Sequence, residues 1–340
     1  MSTHTSTMEM KVSQAAPDRE VSEARSVEVQ VPASTSNLGS GFDCCGLALK
    51  LYLSVQATVT PKYSRLCEVH MSGEAHENGN TPRGRGNLIY RAMRFVAERE
   101  GIKLPPLRLD VRNDIPFASG LGSSGAAIVA GIALCSALFD LELTNEKILR
   151  YGTELEGHAD NVAATLLGGL VINCIKEDRS VIAAKRLWPA TVKLIAVTPH
   201  VSVETKHARQ ILSAQVSRGD AVFNLQRVAL FGAALEKRDY DLLWEAMQDR
   251  LHQERRAGLV PGLADALAIP RVPGLLGIAL SGSGPTVIAL ATEHFREICD
   301  LIAGCFHENG LATTVRLLEV DHLGLRTSIA AALEETKSDQ

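Results

Sequence analysis

A glycine- and serine-rich hexapeptide opens the most apolar segment of this 340-residue chain. The hexapeptide is GLGSSG at residues 120–125, and residues 126–138 are apolar almost all round. A helix that is apolar on every side lies in the protein interior, so we expect this helix at the centre of the fold. Its first turn offers unpaired N–H groups and the positive end of the helix dipole, and glycines let a ligand approach the backbone. The pattern predicts an anion site, most naturally for phosphate.

Two other phosphate-binding motifs compare poorly with this segment. The letters match the GxGxxG dinucleotide fingerprint, but that motif requires a strand running straight into the first glycine, whereas residues 113–119, with Pro116, intervene. Walker A requires a Lys–Ser/Thr pair after the glycines, which this chain lacks. A glycine-rich turn that only packs a helix tightly remains an alternative.

Two further loops share this composition, at residues 34–43 and 280–286. Either one alone is equally typical of a simple turn. Three such loops in one chain suggest that they gather around one polyanionic ligand. Residues 154–161, ELEGHADN, then add carboxylates, an imidazole and an amide. Oxygen ligands of this kind suit Mg²⁺, which takes one or two carboxylates plus substrate phosphates. The alternative for this segment is a solvated helix end.

Hydrophobic periodicity predicts an α+β protein of two domains. Alternation predicts strands at 27–31, 49–59 and 107–111 around a loop at 32–46, and helices follow at 88–99, 126–138 and 145–156, the last capped by Thr144. A Gly-initiated strand is expected at 166–174. The second half predicts strands at 192–198, 277–280, 286–290 and 312–318, helices over 204–267 and a helix at 293–306. Strands and helices do not alternate strictly, which argues against a doubly wound sheet.

Composition excludes several classes of partner. With 35 Lys+Arg against 39 Asp+Glu and only 4% aromatic residues, the chain is poorly suited to nucleic acid or anionic membranes. Seven scattered cysteines without a CxxC pair indicate core packing in a reducing compartment rather than zinc. Residues 1–25 are polar, without the apolar core of a signal peptide, and no apolar run is long enough for a membrane span. We therefore expect a cytoplasmic protein with a dispensable N-terminal tail.

Three segments together resemble the GHMP kinase superfamily. They are VPASTSNLGSGFDCCGLAL (31–49), IPFASGLGSSGAA (115–127) and ALSGSGPTVIAL (279–290). The last of these, with EGHADNVAATLLGGL (156–170) and Arg256 in RRAGLVPG (255–262), is similar to the homoserine kinase family within it. The resemblance implies an N-terminal domain of the ribosomal S5 domain 2-like type at 26–188 and a ferredoxin-like domain at 189–328. Tails at 1–25 and 329–340 flank them.

The same resemblance implies ATP-dependent phosphorylation of the side-chain hydroxyl of L-homoserine, with Mg²⁺, in a homodimer. Residues expected to bind ATP are Asn87, Pro116, Phe117, Ala118, Ser119, Gly120, Leu121, Gly122, Ser123, Ser124, Gly125 and Ala126. Ser123, Ser124 and Glu154 are expected near the metal, with Glu156 as a rival to Glu154. Another small-molecule kinase of the superfamily, or a ligand-binding paralogue without turnover, remains an alternative.

The resemblance also assigns a substrate pocket for a zwitterion with a hydroxyl. Asp43 is expected to accept from the ammonium, and Arg209 and Arg256 to hold the carboxylate. Asn37, His158 and Asn161 are expected near the hydroxyl, with Asn161, Ser124 and Glu154 as the catalytic set. The neighbouring Asp160 competes with Asn161 for the position facing the hydroxyl. Gly125 and the absence of proline after Leu212 depart from the family pattern.

Overall fold

A computed structural model describes residues 25–60, 66–74 and 84–330 as two sheets with helices packed on them. The first sheet contains β1 Ser26–Asn37, β2 Gly41–Val59, β3 Cys67–Ser72, β4 Leu107–Asn113, β5 Leu170–Ile175, β6 Val181–Arg186 and β11 Arg326–Ala330. The second contains β7 Lys193–Pro199, β8 Leu275–Leu280, β9 Val287–Ala291 and β10 Thr313–Leu318. The predicted tail up to residue 24 and the chain beyond 330 lie outside the described residues.

The helices fall into two groups along the chain. The first group is α1 Leu88–Glu100, α2 Ser123–Leu138, α3 Asn145–Glu156 and α4 Asp160–Leu167. The second is α5 Thr205–Gln210, α6 Arg218–Lys237, α7 Leu243–Ala246, α8 Gln253–Ala257, α9 Leu263–Leu267 and α10 Phe295–His307, with a 3₁₀ turn at Tyr240–Leu242. In the parts of the chain that the structure describes, no helix is both long and apolar enough to cross a membrane.

The two sheets define two domains. In the first sheet the strands run in the order β11-β1-β2-β4-β3, with β5 paired to β2 and β6 to β5. The second sheet has the order β10-β7-β9-β8 and is antiparallel throughout. Its strands and helices follow the β-α-β-β-α-β sequence of a ferredoxin-like domain, with α10 joining the last two strands.

Helix α2 is central in the first domain, as its composition predicts. Its side chains from Gly125 to Leu138 are mostly buried, and it packs on α1, α3, α4 and β1. Gly131 permits the close approach to α1, because a Cβ there would lie 2.3 Å from the carbonyl oxygen of Ile89. Thr144 caps α3 as predicted, accepting from the backbone N–H of Lys147.

The predicted loop at 32–46 is wrong. Strand β1 runs through to Asn37 and β2 begins at Gly41, so that only residues 38–40 form the turn. Polar residues form a strand here because their side chains are buried and hydrogen bonded to other segments. Ser34 donates to Asn161, for example, and Thr35 Oγ1 lies within hydrogen-bond distance of Ser281 Oγ. These partners lie more than 120 residues away in the chain.

Three other predicted boundaries also shift. The strand expected at 166–174 begins only at Leu170, because α4 continues to Leu167 and two glycines with positive φ follow it. The helical stretch 204–267 is divided into α5–α9 by turns. Strand β11 pairs antiparallel with β1. The end of the chain therefore returns to the first domain instead of continuing the second one to residue 328.

Candidate active site

A cleft of about 1020 Å³ is lined by residues from both domains. Most residues that the sequence singled out meet there. Those lining the cleft are Asn37, Asn87, Pro116, Phe117, Ala118, Ser119, Gly120, Gly122, Ser123, Ser124, His158, Asn161, Arg209 and Arg256. The expected residues that do not line it are Asp43, Leu121, Gly125, Ala126 and Glu154.

The glycine loop before α2 packs so closely against neighbouring segments that Gly120 and Gly122 leave no room for a side chain. Gly122, the N-cap of α2, has φ 71°, and a Cβ there would lie 2.1 Å from Ser34 Oγ. A Cβ at Gly120 would lie 2.2 Å from the carbonyl oxygen of Ser281. Ser123 and Ser124 follow at the start of the helix, where unpaired N–H groups favour an anion. This geometry fits a polyphosphate.

The rest of the predicted phosphate loop has a packing role. Leu121 and Ala126 are fully buried in the hydrophobic core. Gly125 faces α4, and a Cβ there would approach the Asn161 Cβ to 3.1 Å. The departure from the family pattern at Gly125 therefore coincides with close packing between α2 and α4.

The three glycine-rich loops gather, as the sequence predicts, but the loop at 280–286 mainly holds the other two together. Ser281 Oγ donates to the Gly120 carbonyl at 2.7 Å and lies 2.8 Å from Thr35 Oγ1. The Gly282 carbonyl accepts from Asn37 Nδ2 at 3.0 Å. This loop braces the cradle, and only Gly282 and Ser283 of it reach the cleft.

Asn161 is fixed at both ends of its amide. Its Oδ1 accepts from Ser34 Oγ at 2.8 Å, and its Nδ2 donates to Ser36 Oγ at 3.1 Å. It starts α4 together with Asp160, and both residues are buried although they line the cleft. Residues 158–161 are thus no solvated helix end.

Asp160 accepts hydrogen bonds from its two neighbours His158 and Asn161. Its Oδ1 accepts from His158 Nδ1 at 2.6 Å and from the Asn161 backbone N–H at 2.7 Å. Burial alone would raise the pKa of Asp160, but the His158 imidazole and the hydrogen bonds hold it below its usual range. Burial likewise opposes the charged form of His158, yet the Asp160 contact raises the pKa of the imidazole. Asp160 is therefore held as a carboxylate that orients His158.

Glu156, rather than Glu154, reaches the cleft. Ser124 Oγ donates to Glu156 Oε2 at 2.7 Å. Glu154 points away and forms an ion pair with Arg99 on the exposed surface. The cause is the helical repeat, because two positions along α3 turn the side chain by about 200°. The expectation that Glu154 lies with Ser123 and Ser124 does not match this geometry.

Arg209, which lines the cleft, forms a bidentate ion pair with Asp43. Arg209 Nη1 and Nη2 donate to the two carboxylate oxygens of Asp43 at 3.0 and 2.7 Å. Burial opposes the charge on Arg209, but the Asp43 carboxylate raises its pKa. Arg209 lines the cleft and Asp43 does not, although the sequence predicted that both would contact the substrate.

Arg256 is a buried guanidinium, with 2% of its surface exposed. Its Nε donates to the Ala208 carbonyl at 3.1 Å and its Nη1 to the Gly282 carbonyl at 2.9 Å. Burial, followed by the nearby charge of Arg209, lowers the pKa of Arg256 to about 10. A buried cation held by carbonyl oxygens favours an anion beside it, since its charge is otherwise uncompensated at close range.

The other end of the cleft lies beside the start of α1. Asn87 caps this helix, with its Oδ1 accepting from the Ile89 N–H at 3.0 Å. Glu74, His200, Thr314 and Arg316 line the cleft as well. No motif in the sequence marked these four residues, because single polar residues in strands and turns carry no recognisable spacing.

The donor set suits a metal that is bound together with a polyphosphate. Among residues 25–60, 66–74 and 84–330, no three His, Cys, Asp or Glu side chains cluster closely enough to hold a metal by themselves. Magnesium is normally held by one or two carboxylates with the remaining oxygens from phosphates and water. Glu156 and Ser124, next to the glycine cradle, match that requirement.

Comparisons with known proteins agree with this geometry. The description "GHMP kinases N terminal domain" matches residues 87–169, and "GHMP kinases C terminal" matches residues 233–299. Homoserine kinase of Desulfitobacterium hafniense is 38% identical over 299 residues, covering 88% of this chain and 98% of that protein. Homoserine kinase of Saccharomyces cerevisiae is 33% identical, covering 87% of this chain and 96% of its own length.

A solved structure extends the likeness to the fold. The crystal structure of homoserine kinase from Cytophaga hutchinsonii superposes with a TM-score of 0.77 at 26% identity, covering 95% of this chain and all of that one. The predicted two-domain α+β kinase fold is thereby confirmed. The two homoserine kinases are more than 30% identical to this chain, and the similarity covers nearly their whole length. The chain therefore belongs to the homoserine kinase family of the GHMP kinases.

Proposed function

We propose that this protein transfers the γ-phosphoryl group of ATP to the side-chain hydroxyl of L-homoserine, giving O-phospho-L-homoserine for threonine biosynthesis. The observation that carries the proposal is that one cleft holds both an anion cradle and a carboxylate clamp. Gly120 and Gly122 form the cradle, and Arg209 and Arg256 lie in the same cleft. The family membership supports the same substrates.

ATP is proposed to place its phosphates on residues 116–124, against the N-terminus of α2, with its base towards Asn87. Glu156 and Ser124 are proposed to hold Mg²⁺ together with the phosphates, and Ser123 lies beside them in the first turn of α2. When bound, the metal neutralises charge that develops during phosphoryl transfer.

The amino-acid substrate is proposed to bind with its carboxylate towards Arg256 and Arg209. Guanidinium groups suit a carboxylate because their N–H groups form charge-assisted hydrogen bonds. The Asp43 side chain is 37% exposed and is proposed to attract the ammonium while it orients Arg209. The hydroxyl then lies towards His158 and Asn161, with Asn37 beside them.

The residues around the hydroxyl favour alignment over early deprotonation. Phosphoryl transfer passes through a loose transition state that depends mainly on positioning and charge neutralisation. Asn161 is an amide and is held by Ser34 and Ser36, while Asp160 is already bound by three donor atoms from His158 and Asn161. We therefore propose that Asn161 positions the hydroxyl, with His158 as the neighbouring polar group.

The experiment is ADP release with Mg·ATP and homoserine, serine, threonine, mevalonate or shikimate, using the wild-type protein and Arg256→Ala. Selective turnover of homoserine that is lost in the variant supports both substrate and clamp. Turnover of another alcohol would assign the protein to a different small-molecule kinase. Tight binding of ATP and homoserine without ADP would favour a ligand-binding protein. A homodimer and a cytoplasmic location stay predictions, and light scattering tests the first.

A further inference from the structure

A buried histidine stands directly behind the proposed carboxylate clamp. His252 is fully buried, and its Nε2 lies 2.9 Å from the carbonyl oxygen of Gly39. Its Nδ1 lies 3.3 Å from Nη1 of Arg256. The ring also stacks on Phe42, with 5.0 Å between centroids and 22° between planes. Nothing in the proposed phosphoryl transfer uses this imidazole.

The two contacts allow one protonation state of the ring. A backbone carbonyl oxygen only accepts, so Nε2 must carry a hydrogen. A guanidinium nitrogen only donates, so Nδ1 must present its lone pair to Arg256. A protonated imidazole would direct an N–H towards the guanidinium. Burial lowers the pKa of His252, which is consistent with a neutral ring.

Three of the five N–H donors of Arg256 are then assigned. Nε binds the Ala208 carbonyl, and the two hydrogens of Nη1 bind the Gly282 carbonyl and His252 Nδ1. Among the described residues, no hydrogen-bond partner lies at Nη2, and Arg256 lines the cleft. The free donor face of this guanidinium is therefore Nη2.

We propose that His252 is a positioning residue, a neutral imidazole protonated at Nε2 that fixes Arg256 so that Nη2 meets the substrate carboxylate. The proposal rests on the proposed function, because it needs an amino-acid substrate in this cleft. Arg256 would then bind one carboxylate oxygen through Nη2 alone.

The turn between β1 and β2 places His252. A Cβ at Gly39 would lie 1.8 Å from the Met247 carbonyl oxygen, so the turn packs directly against the second domain. Ser40 Oγ donates to the Ala246 carbonyl at 2.7 Å. The Asp249 carboxylate accepts from the His252 N–H at 2.9 Å and the Gln253 N–H at 2.8 Å. His252 thus ties the position of the clamp to the contact between the two domains.

Two amide substitutions separate the two contacts of the ring. In His252→Asn, the amide oxygen replaces Nδ1 as the acceptor for Arg256, whereas in His252→Gln the amide nitrogen replaces Nε2 as the donor to Gly39. We expect His252→Gln to raise the KM for homoserine about tenfold, which is typical of losing a hydrogen bond to a charged group. His252→Asn should stay within about threefold, because it keeps that bond. The KM for ATP should stay unchanged in both.

A double-mutant cycle with Arg256→Ala distinguishes positioning from a general loss of stability. Because Arg256→Ala is expected to lose turnover, the cycle compares dissociation constants for homoserine. If His252 acts through Arg256, His252→Gln adds no further rise to the dissociation constant of the Arg256→Ala variant. Equal KM values for the Gln and Asn variants, or an additive effect in the cycle, would overturn the proposal. If the wild type does not phosphorylate homoserine at all, the proposed function fails instead.

Nitrogen NMR of the wild-type protein tests the tautomer without any substitution. The expected result at neutral pH is a protonated Nε2 and an unprotonated Nδ1 for His252. The opposite tautomer, or an imidazolium, would contradict the proposal even if the Gln variant does not fold.

Discussion

Ser124 Oγ donates a 2.7 Å hydrogen bond to Glu156 Oε2, which joins the first turn of α2 to the last residue of α3. The contact places a carboxylate beside the glycine cradle. It involves residues from two helices that are separated by 32 positions in the sequence. This pair, rather than the segment 154–161 as a whole, defines the proposed metal position.

Glu156→Gln should reduce kcat by roughly 100-fold, because the amide removes a negative ligand from the charge balance of phosphoryl transfer. The Mg²⁺ concentration needed for half-maximal rate should rise as well. Steady-state ADP release over a Mg²⁺ titration measures both quantities.

Glu154→Gln is the matched control for this prediction. It removes only an ion pair with Arg99 in which both side chains are over two-fifths exposed, and such pairs contribute little. Its activity should stay within about twofold of wild type. A Glu154 variant that loses activity while the Glu156 variant keeps it would reverse the assignment.

Gly122→Ala should abolish most activity. The residue has φ 71°, and the new methyl group would lie 2.1 Å from Ser34 Oγ and 3.0 Å from Asn161 Oδ1. Gly101→Ala is the control because its φ is 69° and no atom lies within 4 Å. Both variants bear a backbone cost of about 1–2 kcal/mol. Urea unfolding should show that both variants lose at least this much stability. ADP release should show that only the variant at position 122 is inactive.

Asp43→Asn should raise the KM for homoserine about tenfold and leave the KM for ATP unchanged, since the variant loses a charge that attracts ammonium and orients Arg209. Both side chains of the pair are partly exposed, at 34% and 37%, so the melting temperature should fall little. Glu319→Gln, which breaks the exposed pair with Lys50, is the control. An equal rise in both KM values would point to a distorted cleft instead.

Asn161→Asp should lower kcat at least about tenfold, because it places a second carboxylate next to the buried Asp160 and near the phosphates. It also removes the donor that binds Ser36. The pH–rate profile of the variant shows whether a carboxylate at position 161 can act as a base. Wild-type activity in the variant, with a new ionisation at acidic pH, would show that the site works with a carboxylate base.

The pattern of the sequence predicted elements whose causes are local. The apolar composition of α2, the Thr144 cap of α3 and the alternation in β2 all reflect neighbours within one helix or strand. The glycine loop is likewise local, since the same few residues supply the turn and the helix N-terminus. These features predicted correctly that the glycine loop lies at the start of the central helix.

Elements stabilised by distant partners were not predictable in this way. Polar residues 34–37 form a strand because Asn161 and the 280–286 loop satisfy their hydrogen bonds. Strand β11 exists only by pairing with β1, some 300 residues earlier. His252 carries no motif, and its contacts come from Gly39 and Arg256.

The sequence by itself determined the family and the glycine loop at the start of the central helix, because each is recognised from motifs of neighbouring residues. Only the tertiary structure decided which carboxylate enters the cleft, which oxygen Asp160 offers to His158 and how Arg256 is held. Those outcomes depend on the rotation of α3 against α2 and on the contact between two domains. Distances of a few ångströms between segments far apart in sequence set them, and local patterns do not encode such distances.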